Sequence, residues 1–281
     1  MGKRLRPRRA SEASRAAASG GGAPRALNNA GPLSGPRLSV NINKVATLRN
    51  SRGGVTPSVV DAARVCVAAG APGITIHPRA DERHITRWDV PAIASFLAPL
   101  RDSVEFNIEG DPRQDLLAMV RDVRPHQCTL VPVRPGEITS QAGWPPSTPA
   151  AEIREVVADL QQRGIRVSLF IDPEADAVKW AAAMGARRVE LYTEPFARAY
   201  KEGQDQAEAS FRRYVEAANL AHALGLGLNA GHDLDLENLT LFRTLPHLDE
   251  VSIGHALISH ALYVGLDKAV RDYLRACVPS A

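Results

Sequence analysis

Short apolar runs of β type alternate along this chain with segments of helical pattern. In the first run apolar Leu38, Val40 and Ile42 alternate with polar residues, as expected for a strand. Eight runs of this kind predict strands at Leu38–Ile42, Gly73–His77, Val104–Ile108, Gln127–Val131, Arg166–Ile171, Arg188–Tyr192, Leu226–Asn229 and Glu250–Ile253. Parallel strands need crossover helices, and a closed sheet has no edges. The pattern therefore predicts a (β/α)8 TIM barrel with extra helical segments.

Helix signals lie between these runs. Thr56-Pro57 predicts an N-cap and a first-turn proline for a helix that ends at Gly70. Ala150–Arg163 and Glu174–Met184 are helical patterns that each end at a glycine. These segments supply crossovers for the predicted barrel.

Two connections, Pro135–Pro149 and Thr193–Gln206, are predicted to be long loops, and such loops often act as lids. A doubly wound open sheet is the structural alternative to the barrel. The first strand is not followed by a G-x-G-x-x-G sequence, so a dinucleotide-binding domain has little support.

The charge is unevenly distributed. Residues 1–36 carry seven Lys and Arg against one Glu and have few large apolar side chains, which predicts a disordered basic N-terminal extension. Its composition fits an organelle transit peptide, a solvated extension or a mis-chosen start codon, and these alternatives stay open. Residues 37–281 carry 27 basic and 30 acidic residues and are predicted to form a single TIM-barrel catalytic domain that does not bind nucleic acid.

Two further features bear on the compartment. No apolar run approaches the roughly 20 residues that span a bilayer, so the sequence predicts a soluble protein without membrane association. The three cysteines, Cys66, Cys128 and Cys277, are far apart and odd in number, which fits packed thiols in a reducing cytoplasm.

Polar residues recur where the predicted strands end. In TIM barrels catalytic groups lie at the carboxyl ends of strands, so this recurrence predicts an active site there. Glycine turns at 230–232 and 253–255 follow the last two strands, where many barrels bind phosphate. The strand-end residues are Asn41, His77 with Arg79, Glu109, Asp172, Glu190 with Thr193, Asn229 with His232, and His255. Charge for a second phosphate could come from Arg49, Arg52, Arg79 and His84.

Two of these residues have a structural alternative. Asp172 is followed by a proline and could cap the next helix instead of entering the site. Arg49 could be the partner of a structural ion pair rather than a phosphate ligand.

Six separated motifs resemble the pyridoxine 5′-phosphate synthase family, in the same order along the chain. The resemblance covers roughly residues 37–275. The motifs are VNINKVATLRNSRG (40–53), GITIHPRADERHI (73–85), FNIEGD (106–111), RVSLFID (166–172), LNAGHDL (228–234) and IGHALI (253–258).

The resemblance implies a cytoplasmic, homo-octameric barrel enzyme without a metal or organic cofactor. It implies condensation of 3-amino-2-oxopropyl phosphate with 1-deoxy-D-xylulose 5-phosphate to pyridoxine 5′-phosphate, phosphate and water. By position, His77 and Glu109 would accept protons, His232 would donate one, and Glu190 would stabilise the transition state. The aminoketone phosphate site would comprise Asn41, Arg52, Asp233, Gly254 and His255. The deoxyxylulose phosphate site would comprise Asn43, Lys44, Arg79, His84 and Thr139.

The chain departs from the family pattern at two places. Asn43-Lys44 stands where many members carry Asp-His, and Asp233 stands where they carry Gly. An anionic Asp233 beside a phosphate is unfavourable unless its side chain points away.

Two other functions fit the same pattern. His77, Glu109, Asp172 and His232 could hold a divalent metal in a sugar-phosphate epimerase or aldolase. Alternatively, a non-catalytic phospholigand-binding or scaffold protein could use the basic tail to reach a partner.

Overall fold

Eight parallel strands close into a barrel in the order of the sequence, and the predicted TIM-barrel fold is confirmed. A computed structural model describes residues 35–133 and 140–278. The predicted disordered extension, 1–36, lies almost entirely outside these ranges and stays a prediction. The strands are β1 Arg37–Asn41, β2 Gly73–Ile76, β3 Glu105–Gly110, β4 Gln127–Leu130, β5 Arg166–Ile171, β6 Arg188–Tyr192, β7 Gly227–Gly231 and β8 Leu248–Ile253.

Helices surround this barrel and bury its outer face. The apolar side chains of the strands pack against them, as Leu38 and Val40 of β1 do in the main core. The helices are α1 Asn43–Asn50, α2 Val59–Ala68, α3 Asp89–Leu97, α4 Gln114–Val123, α5 Ala150–Gln162, α6 Ala175–Ala183, α7 Glu194–Glu202, α8 Gln204–Ala223, α9 Leu239–Phe242, α10 His255–Val264 and α11 Leu266–Cys277. Within the described part of the chain, none of them is long and apolar enough to cross a membrane.

Two local predictions were wrong. The Thr56-Pro57 bond is cis and lies before the helix; α2 begins at Val59, and Ser58 Oγ caps it by accepting from Asp61 N at 3.1 Å. The predicted loop Thr193–Gln206 is largely helical, because α7 occupies most of it and buries Phe196.

Hydrogen bonds hold the second half of the other predicted loop, Pro135–Pro149, against the barrel. The backbone N–H of Trp144 donates to Phe170 O at 2.9 Å, and its indole N–H donates to Leu130 O at 2.9 Å. The loop therefore returns along the carboxyl ends of β4 and β5. Residues 134–139, which include Thr139, lie outside the described residues.

The inside of the barrel is unusually polar. TIM-barrel interiors are normally filled with bulky branched side chains. Here a charged layer at the amino-terminal end includes Glu105, which pairs with Arg37 at 3.3 Å and with Arg166. Above it, Ser39 Oγ and Thr75 Oγ1 are hydrogen-bonded at 2.7 Å. Polar groups therefore continue down the barrel from its carboxyl-terminal end.

Candidate active site

Glu109, near the carboxyl end of β3, lies at the centre of a group of polar side chains. Its Oε2 lies 3.3 Å from Asn41 Nδ2 and 4.0 Å from His77 Nδ1, and Ser252 Oγ lies 3.5 Å from its Oε1. Burial raises the pKa of Glu109 to about 8, because a charged carboxylate is poorly solvated there. The carboxyl group therefore carries its proton at neutral pH.

His77 lies just beyond the end of β2 beside this carboxyl group. Its backbone N–H donates to Asn43 Oδ1 at 2.8 Å, which ties the start of α1 to this strand end. Burial, followed by the nearby charges of His84, Arg79 and Arg113, lowers the pKa of His77 well below its ordinary value. The imidazole is therefore neutral at pH 7. Its Nε2 is buried without a hydrogen-bond partner among the residues described, so this nitrogen is left unsatisfied within the described chain.

Glu190 of β6 is a second buried carboxyl group of the site. Burial, together with the charge of Glu109, raises the pKa of Glu190 well above its ordinary value. Its Oε2 lies 3.4 Å from Thr129 Oγ1. Its Oε1 lies so close to the backbone of Gly231 that a Cβ there would approach within 2.4 Å. The glycine is therefore needed for close packing of the carboxyl group against β7.

His232 and Asp233 form a strained turn after β7. Their φ angles are 88° and 62°, in the left-handed region that non-glycine residues rarely adopt and that is enriched at functional sites. Thr193 supports the turn because its hydroxyl oxygen lies within hydrogen-bond distance of two carbonyl oxygens, that of Gly231 at 2.8 Å and that of His232, and its hydrogen can be donated to either of them. The ring of Tyr192 packs edge-on against His232 at 5.2 Å.

The carboxylate of Asp233 is turned towards this histidine. His232 Nδ1 lies 2.6 Å from Asp233 Oδ2, and this hydrogen bond lowers the pKa of Asp233. Asp233 thus orients the ring of His232. Its predicted contact with a substrate phosphate is not tested by this arrangement.

The remaining predicted residues lie around the mouth of the barrel. Gly254 precedes α10, and a Cβ at this position would lie 3.1 Å from the Cβ of Asn41, so the turn packs directly on β1. His84 is half-buried with its ring 5.8 Å from that of His77, and burial is the main reason that its pKa falls to about 4. Arg79 is buried with its Nε 3.9 Å from Asp81 Oδ1. Lys44, Arg52 and His255 are exposed.

Three residues considered for the site, two at predicted strand ends and one as a phosphate ligand, have other roles. Asn229 lies inside β7, which continues to Gly231, and its amide contacts Arg188 at 2.6 Å and Glu250 at 3.3 Å in the lower layer. Asp172 does not cap α6; its Oδ2 accepts from Gly143 N at 3.2 Å. Arg49 forms the structural ion pair, with Asp89, at 2.5 Å.

Two contacts of the buried carboxyl groups were missed by the sequence reasoning, those of Thr129 and Ser252. Both residues lie inside strands, where a threonine or serine does not by itself indicate a functional site. A signal was present, because strands of a parallel sheet are buried on both faces and usually read as continuous apolar runs. Polar residues at every second position, as in Gln127 and Thr129, indicate that the inner face is polar.

The metal-enzyme alternative has no geometric support. Within 35–133 and 140–278, no three His, Cys, Asp or Glu side chains are grouped closely enough to hold a metal ion. Of the four ligands considered, His77 and Glu109 are neighbours, whereas Asp172 accepts a hydrogen bond from the backbone of Gly143.

The buried carboxyl groups predict that the protein loses stability as the pH rises from 6.5 to 8. Burial raises the pKa of Glu109 and of Glu250 to about 8 and also raises that of Glu190 well above its ordinary value, so the folded chain keeps protons that the unfolded chain has lost. The lowered pKa values of His77 and His84 act in the opposite direction, but only below about pH 6.5. We expect each carboxyl group to cost about 1–2 kcal/mol over this interval.

Urea unfolding at pH 6.5 and 8 measures this change. The variant Glu109→Gln should show a smaller decline than the parent protein, because it has one fewer buried acid. A free energy of unfolding that is constant or rises over this interval would contradict the protonated state of these groups.

Known proteins match nearly all of the barrel. The family model "Pyridoxal phosphate biosynthesis protein PdxJ" matches residues 38–278. Pyridoxine 5′-phosphate synthase of Bacteroides thetaiotaomicron is 52% identical over 238 residues, covering 84% of this chain and 97% of the relative. The same-named protein of Leptospira biflexa is 45% identical over 249 residues, covering 85% and 96% of the two chains.

A solved structure shares the fold alone. The 3-keto-L-gulonate-6-phosphate decarboxylase of Vibrio cholerae is 12% identical, with a TM-score of 0.57 over 88% of this chain and 100% of the other. The family assignment rests instead on the family model, which matches residues 38–278, and on relatives that are about half identical to this chain. This chain is therefore an enzyme of pyridoxine biosynthesis and belongs to the pyridoxal phosphate biosynthesis protein PdxJ family, whose relatives are named pyridoxine 5′-phosphate synthase.

Proposed function

We propose that this enzyme condenses 3-amino-2-oxopropyl phosphate with 1-deoxy-D-xylulose 5-phosphate. The products are pyridoxine 5′-phosphate, inorganic phosphate and water, and the reaction proceeds by acid/base catalysis without a metal or organic cofactor. The observation that carries the proposal is the neutral His77 beside protonated Glu109 at one side of the barrel mouth.

The chemistry of this reaction consists mainly of proton transfers. An amine joins a ketone, water and phosphate leave, and the new ring loses protons as it becomes aromatic. Each step needs an acid or base near neutral pH. His77 offers a neutral imidazole whose Nε2 has no hydrogen-bond partner among the described residues, and two buried carboxyl groups have pKa values raised by burial. This set of groups supports the proposed reaction.

In this proposal His77 and Glu109 accept protons, His232 donates one, and Glu190 stabilises the transition state. Glu109 must first lose the proton that its raised pKa leaves on it at neutral pH. The aminoketone substrate brings an ammonium group, and a positive charge next to a carboxyl group lowers its pKa. Binding of this substrate would therefore convert Glu109 to the carboxylate that can act as a base.

The phosphate groups would bind at two sides of the mouth. The turns after β7 and β8, at His232-Asp233 and at Gly254, suit the aminoketone phosphate. The β2–α3 loop suits the deoxyxylulose phosphate through charged side chains. The first site would use Asn41, Arg52, Asp233, Gly254 and His255. The second would use Asn43, Lys44, Arg79, His84 and Thr139.

The decisive experiment mixes the purified protein with both substrates and detects pyridoxine 5′-phosphate by chromatography and absorbance. We expect product together with released phosphate, and no product when either substrate is left out. If a known synthase forms product under the same conditions and this protein does not, the proposed function is wrong.

We also propose a cytoplasmic homo-octamer. The three cysteines are buried free thiols, which suits a reducing compartment. Large apolar side chains on α1 and α10 are exposed, with Leu48 54%, Leu262 70% and Tyr263 89% accessible in the single chain. Contact between copies would cover such a surface. Light scattering of the purified protein tests the octamer.

A further inference from the structure

The hydroxyl group of Thr129 lies between a carboxyl group of the site and the polar interior of the barrel. Its Oγ1 is 3.4 Å from Glu190 Oε2 and 3.2 Å from Asn107 Oδ1. Gln127 Nε2 approaches the same oxygen at 3.4 Å. All four side chains are buried, so these contacts are shielded from bulk water.

A hydroxyl group has one hydrogen and can donate it to only one of these two acceptors at a time. When Glu190 is ionised, the hydroxyl can donate to its carboxylate. When Glu190 is protonated, its O–H can donate to Thr129 Oγ1, and the threonine hydrogen can turn to Asn107 Oδ1. Both protonation states of the carboxyl group then have a hydrogen-bond partner.

The orientation of Asn107 makes this exchange possible. Its Nδ2 donates to Thr75 Oγ1 at 3.3 Å, and Thr75 is in turn hydrogen-bonded to Ser39 at 2.7 Å. With the amide nitrogen held on that side, the amide oxygen faces Thr129 as an acceptor. The chain of polar groups across the barrel thus fixes the direction in which the threonine hydrogen can turn.

We propose that Thr129 is a positioning residue whose hydroxyl reorients with the charge of Glu190. The hydroxyl donates to the carboxylate of Glu190 when that group is ionised and accepts from it when it is protonated. Thr129 thereby keeps the Glu190 side chain in the same position in both protonation states. The inference rests on the proposed function, because that function gives Glu190 its part in the reaction.

Charged groups reach Glu190 directly from β3 and, through Asn229, from the layer beneath. Glu109 faces it from β3 and disfavours its ionised form. In the layer beneath, Arg188 of the same strand and Glu250 of β8 both contact Asn229, which pairs with Glu190 across β6 and β7. Thr129, from β4, is the neighbour that can follow the protonation of the carboxyl group by turning a hydrogen.

The test compares two substitutions of this residue. Thr129→Val removes the hydroxyl at similar volume and should lower kcat about ten- to a hundredfold, with little change in KM, because a hydrogen bond to a charged group is lost. Thr129→Ser keeps the hydroxyl and should restore most of kcat. The limb of the kcat pH profile that belongs to Glu190 should move to higher pH in the valine variant, since the carboxylate has lost a donor.

Ser168→Ala is the matched control. Ser168 pairs with Thr129 across β4 and β5 and is buried, but its hydroxyl has no hydrogen-bond partner among the described residues. We expect this variant to keep the parental kcat and pH profile. An equal loss of kcat in Ser168→Ala and Thr129→Val would overturn the inference, because removing any buried hydroxyl group would then lower kcat to the same extent.

A double substitution separates a positioning role from a general defect. If Thr129 acts through Glu190, adding Thr129→Val to Glu190→Gln should lower kcat no further. Independent, multiplicative losses would overturn the inference. The parent enzyme is assayed first. If it forms no pyridoxine 5′-phosphate, the proposed function is contradicted. If the parent is active and Thr129→Val has the same kcat, only the role of Thr129 is contradicted.

Discussion

Replacing Glu109 with glutamine is expected to lower kcat for pyridoxine 5′-phosphate formation by about a hundredfold to ten-thousandfold, the usual contribution of a general acid or base. Glutamine has almost the same shape and can still accept hydrogen bonds from Asn41 and Ser252, but it cannot exchange a proton with the substrate. Steady-state kinetics at pH 7.5, with circular dichroism to check the fold, measure the effect. KM should change much less than kcat.

The matched control is Glu152→Gln, the same chemical change on the exposed surface of α5. It should leave kcat unchanged. Near-parental turnover in Glu109→Gln would show that this carboxyl group is not a proton-transfer group. The substitution His77→Ala should lower kcat to a similar extent, because it removes the imidazole beside the same carboxyl group.

Replacing Arg49 with methionine is expected to lower the free energy of unfolding by about 3–5 kcal/mol, because one partner of a buried ion pair is left without the other. Arg49 and Asp89 form two hydrogen bonds, at 2.5 and 2.8 Å, and both side chains are about nine-tenths buried. The guanidinium also donates to the carbonyl oxygen of His84 at 3.3 Å. Chemical unfolding measures the loss.

Arg64→Met provides the control, since Arg64 pairs with Asp61 on the surface of α2, where an ion pair contributes less than about 1 kcal/mol. The substitution also tests the alternative that Arg49 binds phosphate. A stable Arg49→Met protein with weakened substrate affinity would favour that alternative, whereas a destabilised protein with a near-parental KM supports the structural role.

The strands were the most predictable part of the fold. In β5 and β6 the β-type run, bounded by turn residues, gives both ends correctly. The prediction ended β7 at Asn229 because the next residues, Ala230 and Gly231, have low strand propensity. Pairing with both neighbouring strands and the close approach of Glu190 extend the strand over this glycine.

The local features that the sequence did not predict depend on tertiary packing. Thr193–Gln206 contains Pro195 and many polar residues, which favoured a loop, yet burial of Phe196 among Phe211, Tyr214 and Phe242 stabilises a helix there. The candidate site residues could be proposed from the sequence because they lie at or near the carboxyl end of a strand. The direction of each polar group was not, because the pairing of Asp233 with His232, or of Asn43 with His77, depends on backbone positions fixed by the whole barrel.

The polar interior restricts how this enzyme can become more thermostable, in evolution or by engineering. Buried hydroxyl and amide groups that satisfy one another can often be exchanged for well-packed apolar side chains at no loss of stability, and sometimes with a gain. In this barrel, however, the interior polar groups also contact the carboxyl groups that are proposed to take part in the reaction. Repacking the interior would therefore give a sturdier but slower catalyst. Thermotolerant relatives should instead carry their adaptive substitutions in the outer ring of helices and in the surface loops, where the two demands do not compete.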